Sequence, residues 1–195
     1  YRSQRGLPGA VILYANPSQE RMWDEDFFAQ AAYGRQLGRR LRLQTRLKYT
    51  HSWNRYRDWG SQYSDGERTD IDRQDEGYAS ATLGWWVVPG LQMAVAQDVA
   101  YNRLNNNVYV NTNYDVPQPS RWTSISALAL RGQWRALKVN GNLAYTYAAE
   151  HVAVGDKPAD KRRLTPSLGV SYRLLPFTPL YIRAMYKQAF RVPTF

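Results

Sequence analysis

The chain has 195 residues, enough for about one domain, and carries a formal net charge of +10. It has no cysteine, which excludes disulfides, cysteine-ligated zinc and thiol nucleophiles. No stretch reaches the about 18 consecutive apolar residues that a helical membrane span needs. A mean hydropathy of −0.61 does not exclude a membrane β-barrel, which shows lipid only alternate residues and keeps its lumen polar. With 7 Trp and 15 Tyr, the chain favours strands and interfacial belts over a disordered basic tail. Its basic residues are scattered along the chain rather than clustered, and no nucleic-acid motif accompanies them, so nucleic acid is not an expected partner.

Residues 1–26 read mostly as loop, with room for a short strand around Ala10–Tyr14. Tyr1-Arg2-Ser3-Gln4-Arg5 is not an apolar leader, and both ends look cut from a longer protein. Segment 27–37 puts Phe27, Ala29, Ala31 and Tyr33 on one face. The clearest strand begins at Leu41. There Leu41, Leu43, Thr45, Leu47, Tyr49, His51 and Trp53 alternate with Arg42, Gln44, Arg46, Lys48, Thr50, Ser52 and Asn54. Three arginine or lysine side chains on the second face suit a wet lumen and not lipid.

The next hairpin repeats this pattern with Ala79, Ala81, Leu83, Trp85 and Val87, then Leu91, Met93, Val95, Val99 and Tyr101. Gln97 interrupts the apolar face. Segment 121–133 is ambiguous between an Ile125/Ala127/Ala129 face and a Leu128/Leu130 face. Residues 137–148 oppose Leu137, Val139, Leu143 and Tyr145 to Lys138, Asn140 and Asn142. Residues 164–174 oppose Leu164, Leu168 and Val170 to Thr165, Ser167 and Arg173. Pro166 lacks a ladder donor and fits a strand start better than mid-sheet. Segment 180–190 puts Leu180, Ile182, Ala184 and Tyr186 outward.

Four short turns separate these strands in pairs: Gly38-Arg39-Arg40, Pro89-Gly90, Trp134-Arg135-Ala136 and Leu175-Pro176-Phe177-Thr178-Pro179. Three long polar stretches, near 56–76, 105–120 and 151–162, read as loops at the opposite end. The expected fold is therefore all-β: an antiparallel transmembrane β-barrel meander of about eight strands. Tilted strands climb about 2.5 Å per residue, so about ten residues cross an apolar band of about 25 Å. Tyr49 to Trp53 and Tyr145 with Tyr147 then mark one interface, and Trp85, Trp86 and Trp134 the other.

Chemistry-bearing clusters are sparse. His51 and His151 have no ligand spacing. Asp24-Glu25-Asp26 and the acids between Asp65 and Glu76 lack the order of a calcium loop, which leaves a cation in that stretch as a minor reading beside solvated charge. No phosphate loop or nucleophile triad is present, so neither an enzyme nor a bound cofactor is expected. The better ligand candidates are aromatic and amide residues in the long loops, where flat apolar contact and adaptable hydrogen bonds combine. They are Trp53, Tyr56, Trp59 and Tyr63, and Asn105, Asn107, Tyr109, Asn111 and Tyr114. Packing and turn chemistry is the plainer account of the same residues.

Three segments resemble a known family. Arg5-Gly6-Leu7-Pro8-Gly9-Ala10-Val11, Trp23-Asp24 with Phe27-Phe28, and Tyr186-Lys187 with Phe190-Arg191-Val192-Pro193-Thr194-Phe195 look like the barrel of TonB-dependent outer-membrane receptors. The first two look closest to the cobalamin-receptor-like branch. The resemblance implies that residues 1–195 are part of one barrel domain of about 22 strands, with a plug and further strands outside this chain. It also implies a Gram-negative outer membrane, lipid around the wall, contact with the TonB complex through that plug, and import of a scarce nutrient such as cobalamin, haem or an iron-siderophore. The alternative is a small closed outer-membrane barrel with a structural or adhesive role.

Overall fold

A computed structural model describes residues 1–6, 20–60, 63, 65–107 and 118–192. Nine strands form one sheet: β1 (Arg2–Gly6), β2 (Arg21–Leu37), β3 (Leu41–Trp59), β4 (Glu67–Val88), β5 (Leu91–Asn107), β6 (Ser120–Trp134), β7 (Leu137–His151), β8 (Lys161–Arg173) and β9 (Tyr181–Lys187). Each strand pairs antiparallel with its neighbour in chain order, and β1 and β9 form the two edges of an open sheet. Among the described residues there is no helix.

The four short turns fall where the sequence places them. Gly38 and Gly90 have φ of 68° and 86°, and Arg135 adopts the left-handed region at 51°. Gly90 is held there by packing as well as by its backbone. A Cβ on it would meet the Gln133 carbonyl oxygen at 2.4 Å. The Gln133 N–H donates to the Gly90 carbonyl at 2.7 Å, and the Trp86 N–H to the Arg40 carbonyl at 2.9 Å, so neighbouring hairpins are tied together at the short-turn end.

The strand count and loop lengths differ from expectation. Among the described residues there are nine strands, because Arg2–Gly6 pairs with Arg21–Glu25 in a region expected to be loop. The expected strand at Ala10–Tyr14 lies outside the described residues. Most of the stretch 56–76 is strand, since β3 runs to Trp59 and β4 starts at Glu67. Likewise β5 runs to Asn107, and β7 and β8 leave only residues 152–160 between them. The physical reason is that polar residues on both faces erase the apolar alternation, while ladder hydrogen bonds continue regardless of side chain. Pro166 sits inside β8, not at its start. Its carbonyl accepts from the Gln188 N–H at 3.1 Å, so its nitrogen faces the β9 side just beyond where β9 pairing ends, and no β7 bond is lost.

Register settles the faces. Leu43, Leu83, Val95, Leu128, Leu143 and Pro166 stand in one row across six strands. This assigns β6 to its Leu128/Leu130 alternative. Val139 pairs with Val170, and Leu168 with Tyr186, on the same apolar face. Arg42, Arg46, Asn140 and Asn142 have the opposite parity. Leu47, Val95, Leu143 and Leu168 are all well exposed, between 42% and 58%. A contiguous apolar face of this size is not stable against water, and hydrocarbon is the medium it fits. The buried residues Asp58, Thr146, Ala148 and Glu150 all lie on the other, polar face. Side chains converge on the concave side of a curled sheet, so the polar face is the lumen side.

Aromatics bound the apolar band. Trp85, Trp134 and Tyr172 stand outward near the short turns, and Tyr49, Tyr101, Trp122, Tyr145 and Tyr147 stand outward at the other edge. Trp86 is a correction: it pairs with Gln92 on the polar face, next to a register shift that takes Val87 out of the ladder. Gln97 is accommodated by its neighbours. Its amide donates to Ser124 at 2.9 Å and accepts from Ser126 at 2.5 Å, so the polar groups satisfy one another on the apolar face.

Above the band the lumen side holds a buried charge cluster. Glu150 on β7 is 8% exposed and accepts from Arg121 on β6 at 2.7 Å and from Lys161 on β8 at 3.1 Å. Burial pushes its carboxyl upward, but the hydrogen bonds from Lys161 and Arg121 outweigh burial and hold it below its ordinary value of 4.5.

Two outcomes follow. Leu143→Arg, on the lipid face in mid-band, should cost about 2–4 kcal/mol in an unfolding titration in lipid vesicles. Asn142→Arg, one residue away and lumen-facing, should cost far less. Glu150 has a depressed folded pKa, so its contribution is full above pH 4.5 and is lost as pH falls through the lower folded value. Glu150→Gln should cost about 1–3 kcal/mol at neutral pH and flatten the stability loss below pH 4.5, measured by denaturant titration across pH.

Candidate ligand-binding site

The strands continue past the aromatic belt, so alternation keeps sorting side chains beyond the membrane. This divides the aromatic cluster expected near residues 53–63. Trp53 pairs with Glu25 and Arg73 on the outward face, and lines two shallow outward clefts of about 380 and 440 Å³. Trp59 is also outward, with the Arg57 guanidinium stacked over its ring at 4.4 Å and Arg57 paired to Glu67. Tyr56 has the opposite parity and faces the lumen side.

Tyr56 is drawn together with Tyr63 and Asp58. The Tyr63 hydroxyl donates to Asp58 at 2.8 Å, and Asp58 is 7% exposed. Burial pushes the Tyr56 phenol up to about 12, and Glu20, Asp58 and Tyr63 add to this while Arg68 opposes it. The Tyr56 phenol is therefore a neutral donor across the physiological range.

Two rows of oxygen-rich side chains cross the same face. Asp24, Asn54, Asp72 and Asn106 form one, through the pairs Asp24↔Asn54, Asn54↔Asp72 and Asp72↔Asn106. The Asn54 amide donates to Asp24, and Arg5 pairs with Asp24 at 3.2 Å. Met22, Tyr56 and Asp70 form the row above. Arg68 holds Asp70 at 2.7 Å. Burial, with the charge of Asp70 behind it, raises the Asp72 carboxyl above its ordinary range. The result is a lumen-side wall of phenols, amides and paired charges that can grip a large polar ligand by many adaptable hydrogen bonds.

The second expected cluster is also divided. Asn105 pairs with Arg73 and Asn107 with Ile71, both in outward register, whereas Asn106 faces the lumen. Tyr109, Asn111 and Tyr114 lie outside the described residues. Asn106 belongs to the expected amide cluster, whereas Asp24, Asn54, Asp58, Asp70 and Asp72 are not among the expected aromatic and amide residues. The sequence signal for them is parity counted onward from Trp53 and Tyr101 past the aromatic belt. The acidic stretch from Asp65 to Glu76 is mostly the strand β4, and its acids split between faces: Asp70, Asp72 and Glu76 inward, Asp75 outward. Among the described residues no group of three or more His, Asp or Glu side chains is placed to hold a metal ion. His51 and His151 are separated by the three strands β4 to β6.

Comparison with known proteins gives one family. The model described as TonB dependent receptor-like, beta-barrel, matches residues 3–195. No curated protein matches the chain. The match covers nearly the whole chain, and the fold agrees: an all-antiparallel meander, apolar on one face and polar on the other, with short turns at one end. Members of this family are receptors and transporters, not enzymes, and work with TonB. The chain belongs to the TonB-dependent receptor β-barrel family of the Gram-negative outer membrane.

Proposed function

We propose that residues 1–195 form part of the wall of one barrel domain of a transporter that binds and imports cobalamin, with haem or an iron-siderophore as the next candidates. The carrying observation is the lumen-side cluster of Tyr56, Asp58, Tyr63, Asn54 and Asp72 at the long-loop end. A nutrient too large to diffuse through a narrow pore needs many weak contacts that can be made and released in sequence. Neutral phenols and amides supply these without the desolvation cost of a single buried charge. The resemblance of Arg5-Gly6-Leu7-Pro8-Gly9 and Trp23-Asp24 to the cobalamin-receptor-like branch favours cobalamin.

Tyr56 and Tyr63 are the described residues of the aromatic set on the ligand side. Tyr109, Asn111 and Tyr114, which lie outside the described residues, complete the proposed ligand set. Trp53, Trp59, Asn105 and Asn107 leave the lumen set because their register is outward. The chain's residues bind and orient; no bond is made or broken. Energy enters through the TonB complex acting on a plug domain, as the family resemblance implies.

The test uses the full-length receptor. Deleting 108–117 removes Tyr109, Asn111 and Tyr114 and spares the β4–β5 ladder, which runs to Asn107. Tyr56→Ala removes one lumen phenol. Titrations of cobalamin, haem and an iron-siderophore should show each variant binding about tenfold more weakly, as expected for losing an aromatic contact of about 1 kcal/mol or more. Heat-modifiability should report intact barrels. Inserting residues at Pro89-Gly90 should leave affinity unchanged. Unaltered affinity in both variants would remove this end of the lumen from the ligand path.

A further inference from the structure

The lumen face is polarised along the barrel axis. Toward the long loops it carries Asp24, Asp58, Asp70, Asp72 and Glu76. From the Lys48 row down to the short turns, Asp98 is the one acid among the described residues. Arg42, Arg46, Lys48, Arg131, Lys138 and Arg183 face the lumen over that stretch. All six are exposed, and among the described residues none forms an ion pair. A wet lumen needs polar groups, but not groups of one sign. Unpaired like charges repel, so gathering them at one end costs stability unless an anion offsets it.

The cations meet a built cleft at the short-turn end. It measures about 610 Å³ and is lined by Arg40, Trp86, Gln92, Arg131 and Gln133. Its construction follows from the ladder. The register shift between Trp86 and Val88 leaves the Trp86 indole on the polar face, across from Gln92. Gln92 pairs with Arg131, and Gln133 with Lys138. Arg40 reaches in from the first short turn, its Nη1 3.5 Å from the Val87 carbonyl. The next row up is Gly84, Ala94 and Ala129, whose short side chains leave room beside the guanidinium groups. Asp98 stands three side-chain rows above Gln92 on β5, about 20 Å away along the strand. That is about two Debye lengths at physiological salt, too far to neutralise the cleft. Guanidinium forks match phosphate and carboxylate oxygens, and the indole offers a flat apolar surface to the body that carries them.

We propose that this cleft is an exit-side station for the nutrient. It holds a phosphate or carboxylate group of the imported molecule at the periplasmic mouth, with Arg40 and Arg131 on the anion and Trp86 against the apolar body. The proposal rests on the import reading above and adds the chemistry the cargo must have, at least one exposed anionic group. The wall at the long-loop end captures, and the change of sign down the lumen draws the anion toward the short turns.

The experiment has two arms, both on the full-length receptor. In the first, phenylglyoxal labels accessible arginines and peptide mass spectrometry reads each position. Pyrophosphate and citrate are the phosphate and carboxylate probes, with sodium chloride of equal ionic strength as control. Each probe should slow labelling of Arg40 and Arg131 about fivefold and leave Arg103 and Arg162, outward above the belt, unchanged. Uniform protection, no protection, or an Arg131 already unreactive without a probe would overturn the site. The second arm follows uptake into cells of whichever of cobalamin, haem and an iron-siderophore binds. Arg40→Gln with Arg131→Gln should leave capture affinity unchanged and slow uptake about tenfold, at the low end for hydrogen bonds to a charged group. Arg40→Lys with Arg131→Lys should restore most of the rate. Arg103→Gln with Arg162→Gln, an equal loss of charge on the outside, should change neither. Heat-modifiability verifies folding in each variant. Probe protection with normal uptake in the glutamine pair would overturn the cargo role in favour of a free-anion site while leaving import intact. If no nutrient bound the unaltered receptor, the import reading would fall, and the labelling arm would still decide whether the cleft holds anions.

Discussion

The structure depends on one constraint: in hydrocarbon every backbone N–H and C=O must find a partner within the protein. An antiparallel ladder meets it strand by strand, and the next-neighbour meander meets it with the shortest connections. Side-chain exceptions are tolerated only where that accounting closes. Pro166 occurs inside β8 because its missing N–H faces the side where β9 pairing has ended. Gln97 occurs on the lipid face because Ser124 and Ser126 satisfy its amide.

From the ladder follows strict alternation, and alternation sets the chemistry. Each strand shows lipid one set of side chains and the lumen the other, so a single helical-style surface patch is impossible. Function has to be assembled across strands. Asp24, Asn54, Asp72 and Asn106 come from four different strands and form one row only because the register is continuous. The same rule places Trp53 and Arg73 beside each other on the outside, away from Tyr56 and Asp70.

The two faces handle charge differently. On the lumen side above the band, Glu150 is buried and paired with Arg121 and Lys161, and this cluster ties three strands together. Such pairs hold register more than they add net stability, because desolvation offsets most of the attraction. On the outward side above the belt, arginines stand beside acids, as Arg103 across from Asp75 and Arg57 paired with Glu67. The formal charge of +10 is therefore distributed over both faces, with exposed Arg42, Arg46 and Lys48 toward the lumen and Arg73 and Arg103 among acids on the outside.

Period-two alternation in residues 41–54, 79–101 and 137–148, together with four short turns, was enough to specify a membrane barrel meander and its lipid face. These features are legible because lipid allows a polar residue on a strand face only where neighbours satisfy it, as at Gln97, so the pattern is written almost residue by residue. Strand ends were not legible in the same way. Beyond the band both faces are wet, polar residues are allowed everywhere, and β3, β4 and β5 extend with no apolar signature. That is why Asp70 and Asp72 read as loop acids and why Tyr56 and Trp53 read as one cluster. Which β6 face meets lipid and which residues meet across strands were decided by inter-strand register. Register is a relation between distant segments that no single strand's composition contains.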